Sequence, residues 1–394
     1  MAVKRGSSVN VEIIGISPFN KGALLMFEAI REQFRQRLPN ARFAVPFDWP
    51  AEQRYSYGLS CTFPRDRGRF DRSRACELLP SGFRQNVGLF APSDVDVVLD
   101  ASGFGYGDYW GLEKLQRRLV AVANRWKTER RTLVLLPQAL GPFHKPGMAQ
   151  AFRKVLDKAD LVFVRDKVSL GYVEEVGAPL DKVRSSPDFT NLLHAELPAR
   201  LAPVRGAIML IPNEKMVGGD GDRRRSYLAF LELAVRKLSA TGRKVMLLVH
   251  EGIGDRALAR DLNGVLSEPI DILDEPSPLV TKAVIGAAHA TVSSRFHGLI
   301  SAVSSGVPSV ACGWTHKYGE VMADYGCPEL DMNLSERETW GDKLDLLIAS
   351  AQQDALRQRL RRAANVQCDR SEDMWRAVFG LLHSRHGGAT AHHR

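Results

Sequence analysis

Residues 290–308 read Ala-Thr-Val-Ser-Ser-Arg-Phe-His-Gly-Leu-Ile-Ser-Ala-Val-Ser-Ser-Gly-Val-Pro. The order of residue types predicts the end of a β-strand, two serines suited to cap a helix, a helix with an apolar body, and a glycine that ends it. The final Val-Pro leads into the apolar run Ser309–Cys312, which predicts another strand. Strand, buried helix and strand in this order are the repeating unit of an α/β fold.

Arg295 and His297 fall at the start of this predicted helix. The first turn of a helix has backbone N–H groups without intrahelical acceptors, and the helix dipole is positive there. Together with a guanidinium and an imidazole, these groups predict an anion-binding site. On the residues alone a plainer interpretation stays open, in which Arg295 pairs with an acidic residue and His297 is an ordinary, partly buried histidine.

The alternation of apolar strands and amphipathic helices continues on both sides of this stretch. It predicts an α/β fold with two Rossmann-like, mostly parallel-sheet domains that face a cleft, as the length of 394 residues also suggests. The segment 194–206 has two prolines, a glycine and no periodicity, and is the predicted linker. The predicted parts are an N-terminal domain over 1–195, a C-terminal domain over 207–352, and C-terminal helices over 353–394 that can cross back and end in a disordered tail.

The composition is that of a globular protein, 44% hydrophobic and 25% charged, with a formal net charge of +9. The excess of Lys and Arg favours an anionic substrate or an anionic lipid surface, and no nucleic-acid-binding module is recognisable. Five scattered cysteines without a CxxC pair support neither a zinc site nor a disulfide framework. With no signal peptide and no apolar run of about 18 residues, we expect a cytoplasmic protein that touches the inner face of a membrane at most peripherally.

Residues 51–90 interrupt the α/β pattern. The segment lacks clear periodicity, and a run of this length predicts a lid, a disordered insert or a solvated basic surface. A basic insert of this kind is also able to contact the phosphates of an acceptor or a lipid. Its basic residues are Arg54, Arg65, Arg67, Arg69, Arg72, Arg74 and Arg84.

Charged and polar residues follow several of the predicted strands, at the edge where parallel sheets bind ligands. Asn20 and Lys21 follow the first strand, although a plain turn with a solvated lysine explains them equally well. Arg165 and Asp166 follow a later buried strand, where they pair with each other or Asp166 caps the next helix. Asp188 has a similar position at a strand exit.

The glycine-rich stretch Ser102–Asp108 follows a strong predicted strand. Its glycines have the spacing GxGxG rather than GxGxxG, so a dinucleotide-binding loop is not predicted. We expect the glycines to let the backbone approach a substrate closely. The aromatic residues Tyr106, Tyr109 and Trp110 either stack on a sugar or pack against the helix that follows.

Several of these motifs occur together in an order that resembles the polysaccharide pyruvyl transferase family. The resemblance implies a two-domain architecture similar to GT-B glycosyltransferases, and transfer of pyruvate from phosphoenolpyruvate, as a ketal, onto two hydroxyls of a sugar. It also implies a cell-surface glycan or a lipid-linked sugar as acceptor. The matching motifs are Asn20-Lys21-Gly22-Ala23, Leu136–Phe143, Val164-Arg165-Asp166, Asp188, Ser294–Gly298, Gly306-Val307-Pro308 and Lys317.

The resemblance places Arg165, Arg295 and His297 in binding of the donor. Phosphoenolpyruvate carries a phosphate and a carboxylate, so Arg295, Arg165 and Lys317 are suited to hold it. His297 is the expected general acid or base, because an imidazole titrates near neutral pH. The donor brings its own activated group, so neither a cofactor nor a metal is expected. The remaining candidates for substrate binding are Ser294, Asn20, Lys21 and Asp188.

Two other functions compete with this interpretation. A nucleotide-sugar glycosyltransferase of the same architecture needs an acidic residue for the ribose, and Glu320 is the one obvious candidate after the motif. A non-catalytic protein that binds glycans or nucleic acid through its basic surface is the other. Under the preferred interpretation, Arg295→Ala and His297→Ala abolish transfer and leave the fold intact. The acceptor sugar, the ketal stereochemistry and the oligomeric state stay open.

Overall fold

The computed structural model describes residues 8–63, 72–177, 179–218 and 221–386. They divide into two compact units, each with its own sheet and core. The first unit comprises Met1–Pro18, Met26–Phe189 and Arg370–Arg394, and the second comprises Phe19–Leu25 and Thr190–Asp369.

The first unit is built on a parallel sheet in the order β4-β3-β2-β1-β5-β7-β8-β9, with β6 beside β7. Its strands are β1 Asn10–Ile14, β2 Arg42–Pro46, β3 Ser60–Thr62, β4 Leu89–Phe90, β5 Val97–Asp100, β6 Phe104–Tyr106, β7 Thr132–Leu140, β8 Leu161–Val164 and β9 Val183–Ser185. Its helices are α1 Lys21–Arg37, α2 Ala51–Ser56, α3 Arg72–Ala75, α4 Ser81–Asn86, α5 Leu112–Leu115, α6 Ala121–Arg125, α7 Met148–Lys158 and α8 Lys167–Glu175.

The core of the first unit lies around β7, all nine residues of which are buried. A strand that is buried along its whole length is typical of a parallel sheet that helices cover on both faces. On one side α7 contributes Phe152, whose ring stacks on Phe143 at 4.4 Å between centroids. The indole of Trp375, from the long last helix, contacts Phe34 edge-on.

The second unit has a parallel sheet in the order β12-β11-β10-β13-β14. Alternate residues of β10 enter the cores on opposite faces, Leu210 on one and Met209 on the other, as a strand with both faces covered requires. The strands are β10 Ile208–Ile211, β11 Val245–Leu248, β12 Ile272–Leu273, β13 Ala290–Ser293 and β14 Ser309–Ala311. The helices are α9 Gly221–Ser239, α10 Gly252–Val265, α11 Pro278–Gly286, α12 Phe296–Ser304, α13 Lys317–Asp324, α14 Trp340–Ile348 and α15 Ser350–His386, of which the residues from Arg370 onward belong to the first unit.

Two Rossmann-like units with parallel sheets confirm the predicted α/β fold class. The segment 51–90, however, is not an irregular insert throughout: it supplies β3 and β4, which extend the sheet beyond β2. These strands have three and two residues, too short to show a period-2 pattern in the sequence. Arg65, Arg67 and Arg69 lie outside the described residues.

The predicted linker 194–206 is also structured. It contains a 3₁₀ helix, Ala199–Val204, that buries Leu201 and Val204 in the core of the second unit. At the other end of the chain, α15 continues to His386, past the predicted start of the tail, and 387–394 lie outside the described residues. Among the described helices, none is both long and apolar enough to cross a membrane.

Candidate functional site

The candidate site of the second unit lies at the carboxyl edge of its sheet. Parallel strands all end at one edge, so Asn213, His250 and Ser294 follow β10, β11 and β13 there. The segment Phe19–Leu25, which belongs to this unit, adds Lys21 to the same edge. The Lys21 ammonium donates to the carbonyl of Val249 over 2.9 Å, so the lysine is not the solvated side chain of an ordinary turn.

Arg295 is the N-cap residue of α12, with extended backbone angles (φ −105°, ψ 127°). The predicted serine cap is therefore wrong. Ser293 is the last residue of β13, and its hydroxyl donates to the Arg295 carbonyl over 2.9 Å. Ser294 is buried, and its hydroxyl accepts a 2.7 Å hydrogen bond from Tyr227. Because both serines hold the strand end, they are not available to cap the helix.

The Arg295 guanidinium is held by two carboxylates. Its Nε donates to Asp255 over 2.8 Å, Nη2 donates to the other Asp255 oxygen over 2.5 Å, and Nη1 donates to Glu251. The pairing with acidic residues that the sequence left open is thus present. These bonds engage three of the five guanidinium N–H groups, which leaves two for another partner.

Burial shapes the protonation of this ion-pair cluster. Asp255 is fully buried, and desolvation raises the pKa of its carboxyl, while the neighbouring Arg295 opposes the rise. The pKa of Glu251 is raised for the same reason and is again opposed by Arg295. Glu251 forms, with His250, the polar pair at the end of a predicted strand, and the sequence already places this pair toward the ligand-binding edge. Asp255, in α10, was not among the predicted site residues.

His297 lies in the first turn of α12 and is half-buried. Its ring packs edge-on against Phe296, with 5.5 Å between centroids. A Cβ atom added to Gly22 would lie only 2.2 Å from His297 Nδ1. The glycine therefore allows the start of α1 to approach the imidazole, which explains the presence of Gly22 in the Asn20–Ala23 motif.

Asn20 links α1 to the ion-pair cluster. Its side-chain oxygen accepts from the backbone N–H of Ala23 over 2.8 Å, which caps α1. Its amide nitrogen donates to Glu251. Lys21 lies 3.8 Å from Asp274, and burial lowers the pKa of its ammonium, an effect that Asp274 opposes.

His250 is a second histidine of the site; its position at a strand end predicts that it points toward this edge, although the sequence predicts no role for it. It is 2% exposed, and its Nε2 has no hydrogen-bond partner among the described residues. Burial, followed by the charges of Arg295, Lys21 and His297, holds the pKa of His250 well below its usual value. The imidazole is therefore neutral at physiological pH, with a buried nitrogen at the end of β11.

Lys317 begins α13, and its ammonium lies against aromatic rings. It is 4.9 Å from the centroid of Phe296 and 5.6 Å from that of Trp314, distances suited to cation–π attraction. The next residue, Tyr318, donates to the carbonyl of Ser294 over 2.8 Å. These contacts attach α13 to the strand end that precedes Arg295. The predicted roles of Lys317 and Ser294 in substrate binding stay predictions.

Arg165 and Asp188 belong to the first unit, where they form an ion pair of 2.9 Å with both side chains almost fully buried. Asp166 caps α8, accepting from the N–H of Ser169 over 2.7 Å, as one of the two predicted roles requires. Arg165 and Asp188 follow β8 and β9, at the carboxyl edge of the first sheet. Their predicted contact with substrate stays a prediction.

The described residues contain no cluster of three or more His, Cys, Asp or Glu side chains that could hold a metal. They do form an open groove of about 530 Å³ between α5–α6 and α7, lined among others by Leu112, Gln116 and Lys154. None of the predicted site residues lines that groove. At the carboxyl edge of the second unit's sheet, the groups available for chemistry are instead cations, carboxylates and two imidazoles beside the N-terminus of α12.

The architecture defines the fold class first, because it is similar to that of solved two-domain structures of the GT-B type. Anabaena HepE in complex with UDP and glucose superposes with a TM-score of 0.57 at 13% identity, covering 95% of this chain and 100% of that one. Staphylococcus aureus MnaA with UDP superposes with a TM-score of 0.59 at 11% identity, covering 95% of this chain and 97% of that one. Neisseria meningitidis UDP-GlcNAc 2-epimerase bound to UDP-GlcNAc superposes with a TM-score of 0.57 at 10% identity, covering 95% of this chain and 100% of that one. Identities this low show the fold alone.

Sequence comparison then gives the family. The family model for polysaccharide pyruvyl transferase matches residues 20–316, and the chain belongs to this family. Among curated proteins, the amylovoran biosynthesis protein AmsJ of Erwinia amylovora is 23% identical over 258 residues. That alignment covers 60% of this chain, and the chain spans 60% of the length of AmsJ.

Proposed function

We propose that the chain transfers the pyruvyl group of phosphoenolpyruvate, as a ketal, to two hydroxyls of a sugar in a cell-surface glycan or its lipid-linked precursor. Family membership supports this proposal. The observation that carries it is the convergence of Lys21, Arg295 and His297 at the carboxyl edge of the second sheet, within the matched region. No cofactor beyond the donor substrate is part of the proposal.

The donor is a small molecule with a phosphate and a carboxylate. The two remaining N–H groups of Arg295 are suited to one anionic oxygen, in a bond strengthened by charge. The backbone N–H groups in the first turn of α12 lack intrahelical acceptors and face the same anion. Asp255 and Glu251 fix the plane of the guanidinium, so its orientation does not have to be established when the donor binds. In the proposal Lys21 and Lys317 supply the further positive charge.

The reaction requires proton transfers at two places. Carbon 3 of the enol gains a proton, which leaves an oxocarbenium-like carbon 2, and each of the two sugar hydroxyls loses a proton as it bonds to that carbon. The phosphate leaves with its bridging oxygen, so the products are the ketal and inorganic phosphate. We assign the proton transfer at the donor to His297, because an imidazole serves as acid and base near neutral pH. The leaving phosphate is basic enough to take up a hydroxyl proton, and His250, which burial and neighbouring cations keep neutral, transfers no proton in this scheme.

The direct test is release of inorganic phosphate from phosphoenolpyruvate by the purified chain, with and without a panel of oligosaccharide acceptors. We expect release that depends on the acceptor, and a product heavier by one pyruvate less water. His297→Asn should abolish release. His144→Asn, at an exposed histidine paired with Glu175, is the matched control and should leave release unchanged. Turnover of a UDP-sugar without phosphoenolpyruvate would instead establish the glycosyltransferase alternative.

We also infer that the protein acts in the cytoplasm, in peripheral contact with the anionic inner face of a membrane. A lipid-linked acceptor is presented at such a surface, and the net charge of +9 favours it. Exposed apolar residues in the segment 51–90, with Leu78 at 87% exposure, add an apolar contact to the charge.

A further inference from the structure

Three aromatic residues form a group in the first unit, where Phe104 begins β6 and Tyr109 and Trp110 lie in the loop that follows it. Trp110 contacts Phe104 and Tyr109 edge-on, with centroid distances of 5.8 and 4.9 Å. Tyr109 is 61% exposed. We call Phe104, Tyr109 and Trp110 the aromatic platform. Large aromatic side chains are more often buried than exposed to this extent, so the exposure of Tyr109 is a feature that folding alone does not explain.

The indole of Trp110 has an unused hydrogen-bond donor. Its Nε1 is buried and has no hydrogen-bond partner among the described residues. A buried indole N–H usually has an acceptor, because leaving it without one costs about 1–3 kcal/mol. The ammonium of Lys114 lies 3.6 Å from the centroid of the Trp110 ring. One ring thus combines an apolar surface, an unused donor and a bound cation.

The loop that carries the aromatic platform is fixed by its own hydrogen bonds. The Asp108 carboxylate accepts from the backbone N–H groups of His144 and Lys145 over 2.9 and 3.1 Å. The Asp108 N–H donates to Pro142 over 2.8 Å. A Cβ atom at Gly107 would lie 2.3 Å from the carbonyl oxygen of Gly141, so the two backbones are in close contact. The platform is therefore held in place before any ligand arrives, which favours binding.

The surroundings of the platform are basic. Arg118 follows Lys114 by four residues along the helix and is exposed. In the part of the chain that the structure describes, neither side chain forms an ion pair with a carboxylate. Burial, followed by the charge of Arg118, lowers the pKa of Lys114 to about 8. Between them begins the π-helical turn Gln116–Val120, an irregularity that is frequent at functional sites.

We propose that the aromatic platform, with Lys114 and Arg118, binds a pyranose ring that carries an anionic group and belongs to the acceptor. This inference rests on the proposed function for the identity of the acceptor. The apolar face of the sugar stacks on Tyr109, and the anion lies beside Lys114 and Arg118. The anion is either the carboxylate of a uronic acid or the phosphate of a sugar phosphate, because both present the same charge beside the ring.

The test measures binding of three probes to the full chain by ligand-observed NMR: methyl β-glucuronide, glucose 1-phosphate and methyl β-glucoside. We expect at least one charged probe to bind about tenfold more tightly than the neutral glucoside, as a charge-assisted contact predicts. Preference for the glucuronide identifies a carboxylate as the natural anion, and preference for glucose 1-phosphate identifies a phosphate. Equal affinity for all three probes, or no binding, overturns the proposal.

Two variants with matched controls locate the binding. Tyr109→Ala should weaken binding of the charged probe about tenfold, because the stacking surface is lost. Tyr55→Ala, at another exposed tyrosine of the same unit, should leave this binding unchanged. Lys114→Gln should remove the preference for the charged probe, whereas Lys158→Gln, at an exposed position of α7, should keep it. Unchanged binding in Tyr109→Ala would refute the assignment to the platform.

The binding experiment needs no phosphoenolpyruvate, so its failure differs from failure of the proposed function. If the chain releases phosphate from phosphoenolpyruvate but binds none of the three probes, only the sugar-binding role of the aromatic platform is refuted. A chain that binds the charged probe at Tyr109 and never releases phosphate would refute the donor assignment and leave the sugar site established.

Discussion

At the scale of single residues, Arg295 is the charge on which the candidate site depends. Replacing it with alanine leaves the buried Asp255 carboxylate and Glu251 without their cation. Removing one partner of a buried ion pair destabilises a protein by about 3–5 kcal/mol, because the other charge stays buried without compensation. We therefore expect Arg295→Ala to lower the free energy of unfolding by about that amount in urea titration, and to abolish transfer. The expectation from sequence that this variant keeps an intact fold is revised accordingly.

A matched control for Arg295 is Arg224, which pairs with Asp261 while the two side chains are 42% and 47% exposed. Exposed pairs contribute at most about 1 kcal/mol, so Arg224→Ala should unfold close to the wild type. Arg295→Lys keeps a positive charge and should recover part of the stability, but not the activity, because an ammonium lacks the planar fork. If Arg295→Ala and Arg224→Ala unfold at the same urea concentration, the carboxylates do not depend on Arg295.

The buried His250 makes stability depend on pH. Its folded-state pKa lies well below 6.5 because of burial and the nearby cations Arg295, Lys21 and His297. Below about pH 6.5 the unfolded chain binds a proton at His250 that the folded chain does not. Acidification therefore destabilises the fold through this residue, by up to about 1.4 kcal/mol per pH unit, until the folded-state pKa is reached.

The measurement is the difference in unfolding free energy between the wild type and His250→Gln from pH 7.5 to 5. A difference is needed because buried carboxyls with raised pKa values, such as Asp100, stabilise the fold as pH falls, whereas His250 destabilises it. The wild type should lose stability relative to the variant only below about pH 6.5. A constant difference across this range would mean that His250 titrates normally in the folded chain.

At the scale of elements, the start of α1 and the start of α12 meet at Gly22 and His297. Alanine is favoured over glycine inside a helix by about 1 kcal/mol. At Gly22, however, the added methyl group would lie 2.2 Å from His297 Nδ1 and must displace the imidazole. We expect Gly22→Ala to reduce the rate of phosphate release at least about tenfold, since displacements of about 1 Å cost such factors, with little change in stability.

Gly380 in α15 provides the control for Gly22, because a Cβ atom there meets nothing within 4 Å. Gly380→Ala should raise the unfolding free energy by about 0.5–1 kcal/mol and leave activity unchanged. The contrast separates helix propensity from the contact with His297. Full activity in Gly22→Ala would show that the position of the imidazole is not critical.

The sequence predicted elements better than contacts. Periodicity located β7, α7 and α12, because long apolar strands and amphipathic helices carry a strong local pattern. It could not show that Asp255, in the first turn of α10, would hold Arg295, since a pairing 40 residues apart depends on the order of strands in the sheet. The same limit applies to Gly22, whose function depends on a neighbour 275 positions later.

At the scale of the whole molecule, charge and exposed apolar side chains together favour attraction to an anionic surface. The chain has a net charge of +9. In the first unit, large apolar side chains are exposed over a short stretch that ends the segment 51–90, at Leu78, Phe83 and Val87. Residues 65–74 of the same segment carry five arginines and two aspartates. Basic residues near an anionic bilayer contribute about 1 kcal/mol each, and inserted apolar side chains add to this.

We therefore expect the full chain to sediment with vesicles that contain phosphatidylglycerol and not with vesicles of phosphatidylcholine alone. Raising the salt concentration should reduce the bound fraction, since screening weakens attraction between charges at a surface. Leu78→Ser with Phe83→Ser should weaken binding several-fold through the lost apolar contact. Ile253→Ser, at a residue 82% exposed on α10, is the matched control and should bind as the wild type does. Equal binding to both kinds of vesicle, or equal loss in the control, would mean that the stretch around Leu78 is exposed for another reason, and that a lipid-linked acceptor must be reached without this surface.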